Sequence, residues 1–232
     1  MNLDELMIEN LEWNSEIVNK EEKEVLANKI ANRVREGEVV GFGSGSTSFL
    51  AVCAIAKKLK KEKLNITAIP TSFEIKLICS KLGIPTCTIL EKKPDWCFDG
   101  ADEVNKNNWL IKGRGAAMFK EKLNIVNSKE TYILVDKTKI VNSLGKKMPV
   151  PVECYPEAVN YVKNEIKKLG AKETIMRLAK KKDGPVITEN NNIILDCKFD
   201  KIEENLEKRL KLIPGVIETG LFIGYNIKIE TI

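Results

Sequence analysis

Apolar positions recur along the chain in two alternating rhythms, one of helical period and one of short buried runs. Residues 20–37, KEEKEVLANKIANRVREG, place Val25, Leu26, Ile30, Ala31 and Val34 at helical spacing, and Gly37 is a natural stop. EVVGFGSGSTSFLAVCAIAKKLKK then predicts a short buried strand, a glycine turn and a long amphipathic helix opening near Ser46 and Thr47. LNITAIPTS predicts a strand ended by Pro70, FEIKLICSKLG a helix closed by Gly83, and PTCTIL and WCF two further strands. NWLIKG reads as a strand, GAAMFKEKLNIVN as a helix and TYILVD as a strand. This alternation predicts an α/β fold, with an open, mostly parallel, Rossmann-like sheet and helices on both faces.

After residue 146 the texture changes. KKMPVPVECYPEAV carries three prolines, which suits a crossing into a second, smaller α+β lobe. EAVNYVKNEIKKLG and IEENLEKRLKLIPG have helical spacing, while TIMRLA, GPVIT and NIILDCKF read as strands separated by turn residues, Asp183 and Gly184 among them. VIETGLFIGYNIKIETI supplies closing strands. The expected division is therefore an α/β catalytic domain over 1–146, joined by a returning C-terminal strand at about 219–232, and a smaller domain over 147–218.

Composition sharpens the chemistry by subtraction. The 232 residues include no histidine, which removes Ser–His and Cys–His nucleophile activation and the commonest metal ligand. Acid–base work must then come from Asp, Glu, Lys, Tyr or Cys. The six cysteines are scattered without a C-x-x-C pair, so free buried thiols are expected rather than disulfides or a zinc site. No apolar run is long enough to span a membrane, and the acidic start MNLDELMIENLEWNSE lacks the basic and apolar regions of a signal peptide, so a cytoplasmic protein is expected. The net charge of +5 is spread through mixed runs such as AKKLKKEKLN, with few aromatic residues between them. That pattern fits solvated helix faces and a phosphorylated small molecule better than a nucleic-acid surface.

In an open parallel sheet, ligands bind outside the carboxyl ends of the strands, so the residues that follow each strand matter most. GSGST (Gly43 to Thr47) follows Val39–Phe42, PTS follows Ile66–Ile69, DGADE follows Phe98, KGRG (Lys112 to Gly115) follows WLI, and DKTK (Asp136 to Lys139) follows YILV. Each has a plain alternative. GSGST fits a tight strand-to-helix turn with a hydroxyl cap as well as an anion cradle at a helix N-terminus. DGADE fits an Asx turn, KGRG a glycine turn, and Glu121 or Lys139 a solvated helix face. What those alternatives do not predict is all five exits meeting at one edge of one sheet.

Taken together, GSGST, DGADEV, KGRGAAMFKEK, VDKTK, PVECYP, KKDGPVITENNNIILD and IPGVIETGLF resemble the type A family of ribose-5-phosphate isomerases, in order, from about Lys23 to Ile232. The resemblance implies a metal-independent isomerase without a cofactor, acting on a pentose 5-phosphate and assembling as a homodimer or homotetramer, with 147–218 at the oligomer interface. It implies Glu121 as catalytic base, and the chemistry leaves the remaining acid–base work to Asp99, Asp102 and Lys112. Ser44, Gly45, Ser46, Thr47 and Lys139 would hold the phosphate, with Lys23 a further contact to it. Asp99, Gly100, Ala101 and Asp102 would form one wall, and Lys112, Gly113, Arg114 and Gly115 the other. Three departures stand out: Arg114 replaces a usual glycine, TENNN replaces T-D-x-G-N, and about 16 extra residues precede the usual start.

Moving a proton between adjacent carbons through a cis-enediolate needs one base that takes and returns it, and donors for the developing oxyanion. A carboxylate suits the first task, and a lysine or backbone N–H the second. Asp99 and Asp102 would assist opening of the sugar ring, their proximity raising one pKa. Two rivals remain: a sugar-phosphate-sensing module of the same fold, and a related sugar-phosphate enzyme such as an amino-sugar phosphate deaminase. Against them stand Glu121, the absence of histidine and the lack of room for a helix-turn-helix.

Overall fold

The computed structural model describes residues 13 and 16–232; most of the extra N-terminal residues fall outside that range. The chain forms two compact units, the first built from the described residues up to Gly100 with Leu123–Thr138 and Asn226–Ile232, the second from Ala101–Lys122 and Lys139–Tyr225.

The first unit opens with α1 (Lys20–Ala31), whose Leu26, Ala27, Ile30 and Ala31 are buried. Val25, expected on the same face, is 58% exposed. The helix stops before Gly37 because the chain tightens at Arg33 and Val34 into bonds to Ile30 and Ala31. β1 (Val39–Phe42), α2 (Ser46–Glu62), β2 (Thr67–Pro70), α3 (Phe73–Lys81) and β3 (Trp96–Gly100) follow. PTCTIL forms no strand. Thr86 makes one bridge to Ala68, then Thr88 and Glu91 close a turn that leaves Leu90 93% exposed.

After β4 (Glu103–Val104) and β5 (Leu110–Ile111) in the second unit, α4 (Met118–Asn127) carries the chain across the division, and β6 (Glu130–Leu134) returns it to the first. The first unit's sheet has the order β12-β6-β3-β1-β2, where β12 is Lys228–Glu230, and every pairing in it is parallel. A parallel sheet is stable only when covered, and Val40, Phe42, Phe98, Tyr132 and Leu134 join the helix residues Leu26, Ile30, Val52, Ile55 and Ile75 in one apolar core.

The second unit holds β7 (Val150–Cys154), α5 (Val159–Lys168), β8 (Ala171–Met176), β9 (Ile193–Phe199), α6 (Leu206–Lys211), β10 (Val216–Thr219) and β11 (Leu221–Phe222). Four strands pair antiparallel in the order β10-β7-β9-β8, and a small sheet has the order β11-β5-β4. Pro151 sits within β7 at the end of its register with β10, and its carbonyl accepts the N–H of Gly220 at 2.7 Å. Val152, Cys154, Val162, Ile166, Leu195 and Leu210 form this unit's separate core. GPVIT also fails to form a strand: Pro185 and Ile187 make only isolated bridges before the turn closed by Thr188 and Asn192. That turn explains why TENNN is tolerated. Asn191 takes the left-handed conformation (φ 61°), which asparagine adopts more readily than most residues.

Candidate active site

In the first unit the exits of β1, β2, β3 and β6 lie along one edge, because all four strands run parallel in one sheet. The KGRG exit does not share it. Leu110 and Ile111 pair antiparallel with β4 and β11 in the second unit, where their ladder bonds are made. The expectation of five exits on one sheet edge is corrected to four.

β1 and β3 approach so closely at this edge that only glycine fits at position 43. A Cβ there would lie 2.3 Å from Cγ of Asp99 and 2.6 Å from its Cα. Asp99 does not follow its strand but belongs to β3, paired with Ile133, and is 2% exposed. Its Oδ1 accepts the N–H of Ser44 at 3.2 Å and of Gly100 at 2.8 Å. The Ser44 hydroxyl meets that of Thr71 at 2.7 Å, which brings the β2 exit into the same cluster. Gly45 turns the chain with φ 89° and begins α2, and no side chain caps that helix. The first-turn N–H groups and the positive end of the helix dipole are thereby left for a partner other than a capping side chain. Lys23, from α1, is 8% exposed and donates from Nζ to Oγ of Ser46 at 3.3 Å. A buried ammonium beside an uncapped helix N-terminus is an environment for an anion.

The second unit holds a carboxylate and a lysine close together. β5 delivers Lys112, whose N–H donates to the carbonyl of Gly220 at 2.9 Å. Position 220 also has no room for a Cβ, which would fall 2.2 Å from that lysine's own carbonyl oxygen. Gly113 reverses the chain at φ 98°, and α4 then places Glu121 in its first turn. Lys112 Nζ and Glu121 Oε2 are 3.3 Å apart, with the two side chains 3% and 6% exposed. Lys122 seats this turn of helix. Its buried Nζ donates to Glu207 (2.6 Å), Glu218 (2.8 Å) and the carbonyls of Thr219 (3.2 Å) and Leu221 (2.8 Å), and lies 4.6 Å from the centre of the Phe222 ring. Burial, then the neighbouring Glu207, pushes the Tyr225 phenol far above its usual range at the rim of this cluster.

The remaining expected residues divide between the two units. Ala101 and Asp102 lie in the second unit, whereas Asp99 and Gly100 lie in the first. Asp102 Oδ2 accepts the N–H of Arg114 at 3.1 Å, and the Arg114 side chain is 71% exposed with Nε 3.9 Å from the same carboxylate. Arg114 is absent from the residues of positive φ, so a side chain is accommodated where the family usually has glycine. Gly115 stands in open space. Lys139 is half-buried at the end of a 3-10 turn over Lys137–Lys139 that follows the Asp136 exit. Glu103, the acid of DGADE without an assigned role, is buried and accepts the backbone N–H groups of Gly145, Lys147 and Met148, so it anchors a loop. Thr71 belongs to the PTS exit, one of the five read from the sequence, though no role is assigned to it there. Lys122 gives no such signal, since a basic residue on a helix reads as part of a solvated face.

Cavities of about 580 and 570 Å³ open at the amino ends of the first unit's strands, one beside Lys63, Leu64 and Gly83, the other beside Glu38, Asp95 and Lys129. Neither includes a candidate residue. Among the described residues no cluster of three or more His, Cys, Asp or Glu could hold a metal, and no helix is long and apolar enough to cross a membrane.

The family model for ribose 5-phosphate isomerase A (phosphoriboisomerase A) matches residues 67–230. A ribose-5-phosphate isomerase A of Thermosynechococcus vestitus is 43% identical over 209 residues, covering 88% of each chain. The solved ribose 5-phosphate isomerase A of Methanocaldococcus jannaschii superposes with a TM-score of 0.88 at 37% identity, over 91% of this chain and 95% of that one. A solved D-ribose-5-phosphate isomerase in complex with phospho-erythronic acid gives 0.88 at 36% identity, over 93% and 96%. Matches of this length and identity in both sequence and fold place the chain in the ribose 5-phosphate isomerase A family.

Proposed function

We propose that this chain interconverts D-ribose 5-phosphate and D-ribulose 5-phosphate, with Glu121 as the base that carries the proton between C1 and C2. The observation that supports this most directly is the buried pair of Glu121 and Lys112, 3.3 Å apart. A carboxylate excluded from water and held by an ammonium is poised to take a carbon-bound proton and return it next door. Lys112 supplies positive charge where the enediolate oxygen develops, and a dry surrounding strengthens that interaction. The Ser44–Thr47 turn, with Lys23 and Lys139, takes the phosphate, supported by the uncapped start of α2 and the buried Lys23 ammonium. Asp99 and Asp102 assist ring opening, and each already accepts a backbone N–H that fixes its carboxylate.

The test is conversion of ribose 5-phosphate by the purified chain with Glu121→Gln as control. Turnover should fall by about 10²- to 10⁴-fold, the range of a positioned general base, while phospho-erythronic acid binds as before. A Glu121→Gln variant retaining most of its rate would overturn the assignment of the base. We also place the protein in the cytoplasm as a homodimer or homotetramer joined through the 147–218 region. The exposed Ile175, Leu178 and Ile187 support that surface, and a monomer in sedimentation equilibrium would contradict it.

A further inference from the structure

We infer that Arg177, locked by Asp196, is a positioning residue that sets the peptide planes of the Lys112–Gly115 turn. Arg177 directly follows β8, and its own N–H bonds the carbonyl of Ile194. Asp196 projects from β9, and the two side chains form a fork: Nε to Oδ2 at 2.9 Å and Nη2 to Oδ1 at 2.5 Å. Only 17% of the Arg177 side chain is exposed. The third nitrogen, Nη1, is left to point at the turn, and it donates to the carbonyls of Gly113 at 2.8 Å and Arg114 at 2.9 Å. One guanidinium therefore grips two successive peptide groups from a paired antiparallel sheet.

The consequence follows from peptide geometry. No described peptide bond is cis, and in a planar trans peptide C=O and N–H point to opposite sides. With both carbonyls turned to Arg177, the N–H groups of Arg114 and Gly115 are turned away from it. The first is seen bonding Asp102 at 3.1 Å, one of the proposed acid–base groups. The second is presented on the same side of the turn. Lys112 immediately precedes the gripped residues, so the hold on the turn also limits where its ammonium can stand beside Glu121. The same unit steadies the other flank, because Lys120 in the first turn of α4 pairs with Glu189 at 2.6 Å. The turn closes on itself with the Ala116 N–H bonded to the Gly113 carbonyl at 3.0 Å, but that one bond leaves the Arg114 peptide plane to be set from outside, since the flanking glycines fix neither φ nor side-chain packing. Lysine is no substitute at position 177: it is a point charge, without the planar fork that meets a carboxylate and two carbonyls together.

This inference rests on the reading of Lys112–Gly115 as part of the site. The experiment measures kcat and KM for ribose 5-phosphate in Arg177→Ala, Arg177→Lys and Lys112→Met, with phospho-erythronic acid affinity and thermal unfolding alongside. Arg177→Ala should lose about 10- to 100-fold in kcat, the scale expected for a small misplacement of reacting groups, while ligand affinity holds. Arg177→Lys should resemble it, and added guanidinium ion below denaturing concentration should restore part of the rate to Arg177→Ala. Full kcat in either Arg177 variant beside an impaired Lys112→Met overturns the clamp alone. A loss that follows the folded fraction and is not rescued by guanidinium reduces Arg177 to a structural residue and also overturns it. Full kcat in Lys112→Met removes the turn from the chemistry and sinks both readings together.

Discussion

A single methyl group at position 43 would collide with the carboxyl and the backbone of Asp99. The two residues are 55 positions or more apart in sequence, yet Ser44 and Asp99 share a hydrogen bond, so the turn and the acid are one object. Gly43→Ala is therefore expected to cost about 1–3 kcal/mol in stability, the usual range for overpacking, and to displace Asp99 and Ser44 together. Chemical denaturation and substrate affinity check this; an alanine variant of native stability and KM would show that the strands can part freely there. Gly45 differs in kind. Space around it is open, and what excludes other residues is its φ of 89°. The sequence showed that small residues cluster here, but not which of them is needed for space and which for conformation.

Among the elements, β12 illustrates how a short edge strand is secured. Glu230 at its end is bonded by Lys29 and Arg33 of the α1 region, and Arg33 also lies 4.0 Å over the Tyr132 ring of β6. Burial works against ionisation of Glu230, but Lys29 and Arg33 outweigh it and the pKa is lowered. A depressed folded value means that this stabilisation is complete above the unfolded value of about 4.3 and is lost as pH falls through the folded one. Glu230→Gln should therefore destabilise the protein by about 1 kcal/mol near neutrality, since both cations are partly exposed and screened. The difference from the parent should shrink towards zero in acid. A difference that stayed constant from pH 7 to pH 3 would assign the effect to packing. Elements with a strong helical period, such as α2 and α4, stood out in the sequence. PTCTIL and GPVIT did not form strands, because a run of β-favouring residues needs partners along its whole length and these find one or two. The ownership of 101–122 was equally hidden: Glu103–Val104 and Leu110–Ile111 join Leu221–Phe222, and no local signal announces a pairing so far along the chain. The same distance concealed Arg177, whose partners Gly113 and Arg114 lie more than sixty positions earlier.

For the molecule as a whole, the empty place in the titration inventory is as telling as any filled one. Histidine is absent, and burial holds the thiols of Cys53 and Cys154 up to about 11 and those of Cys79 and Cys197 up to about 12. Near neutrality few groups are left to change charge, the terminal amine chief among them. Conformational stability should consequently be level between about pH 6 and 8, while the rate can still respond through the site and through the substrate phosphate, whose second pKa is near 6. Denaturant unfolding across that range checks the claim, and a step larger than ~1 kcal/mol would refute it.

The place of β12 in the parallel sheet also bears on how the molecule is reached from the unfolded chain. Lys228 of β12 is in register with Tyr132 of β6, and the whole stretch from Lys139 to Tyr225 intervenes and belongs to the other unit. Closing so long a loop comes late, so β6 keeps an open edge through much of folding. An unpaired edge is the surface on which a second unfinished chain can add a strand. Yield on refolding should thus be lost to association rather than to slow chemistry, and dilution is the remedy that this topology recommends.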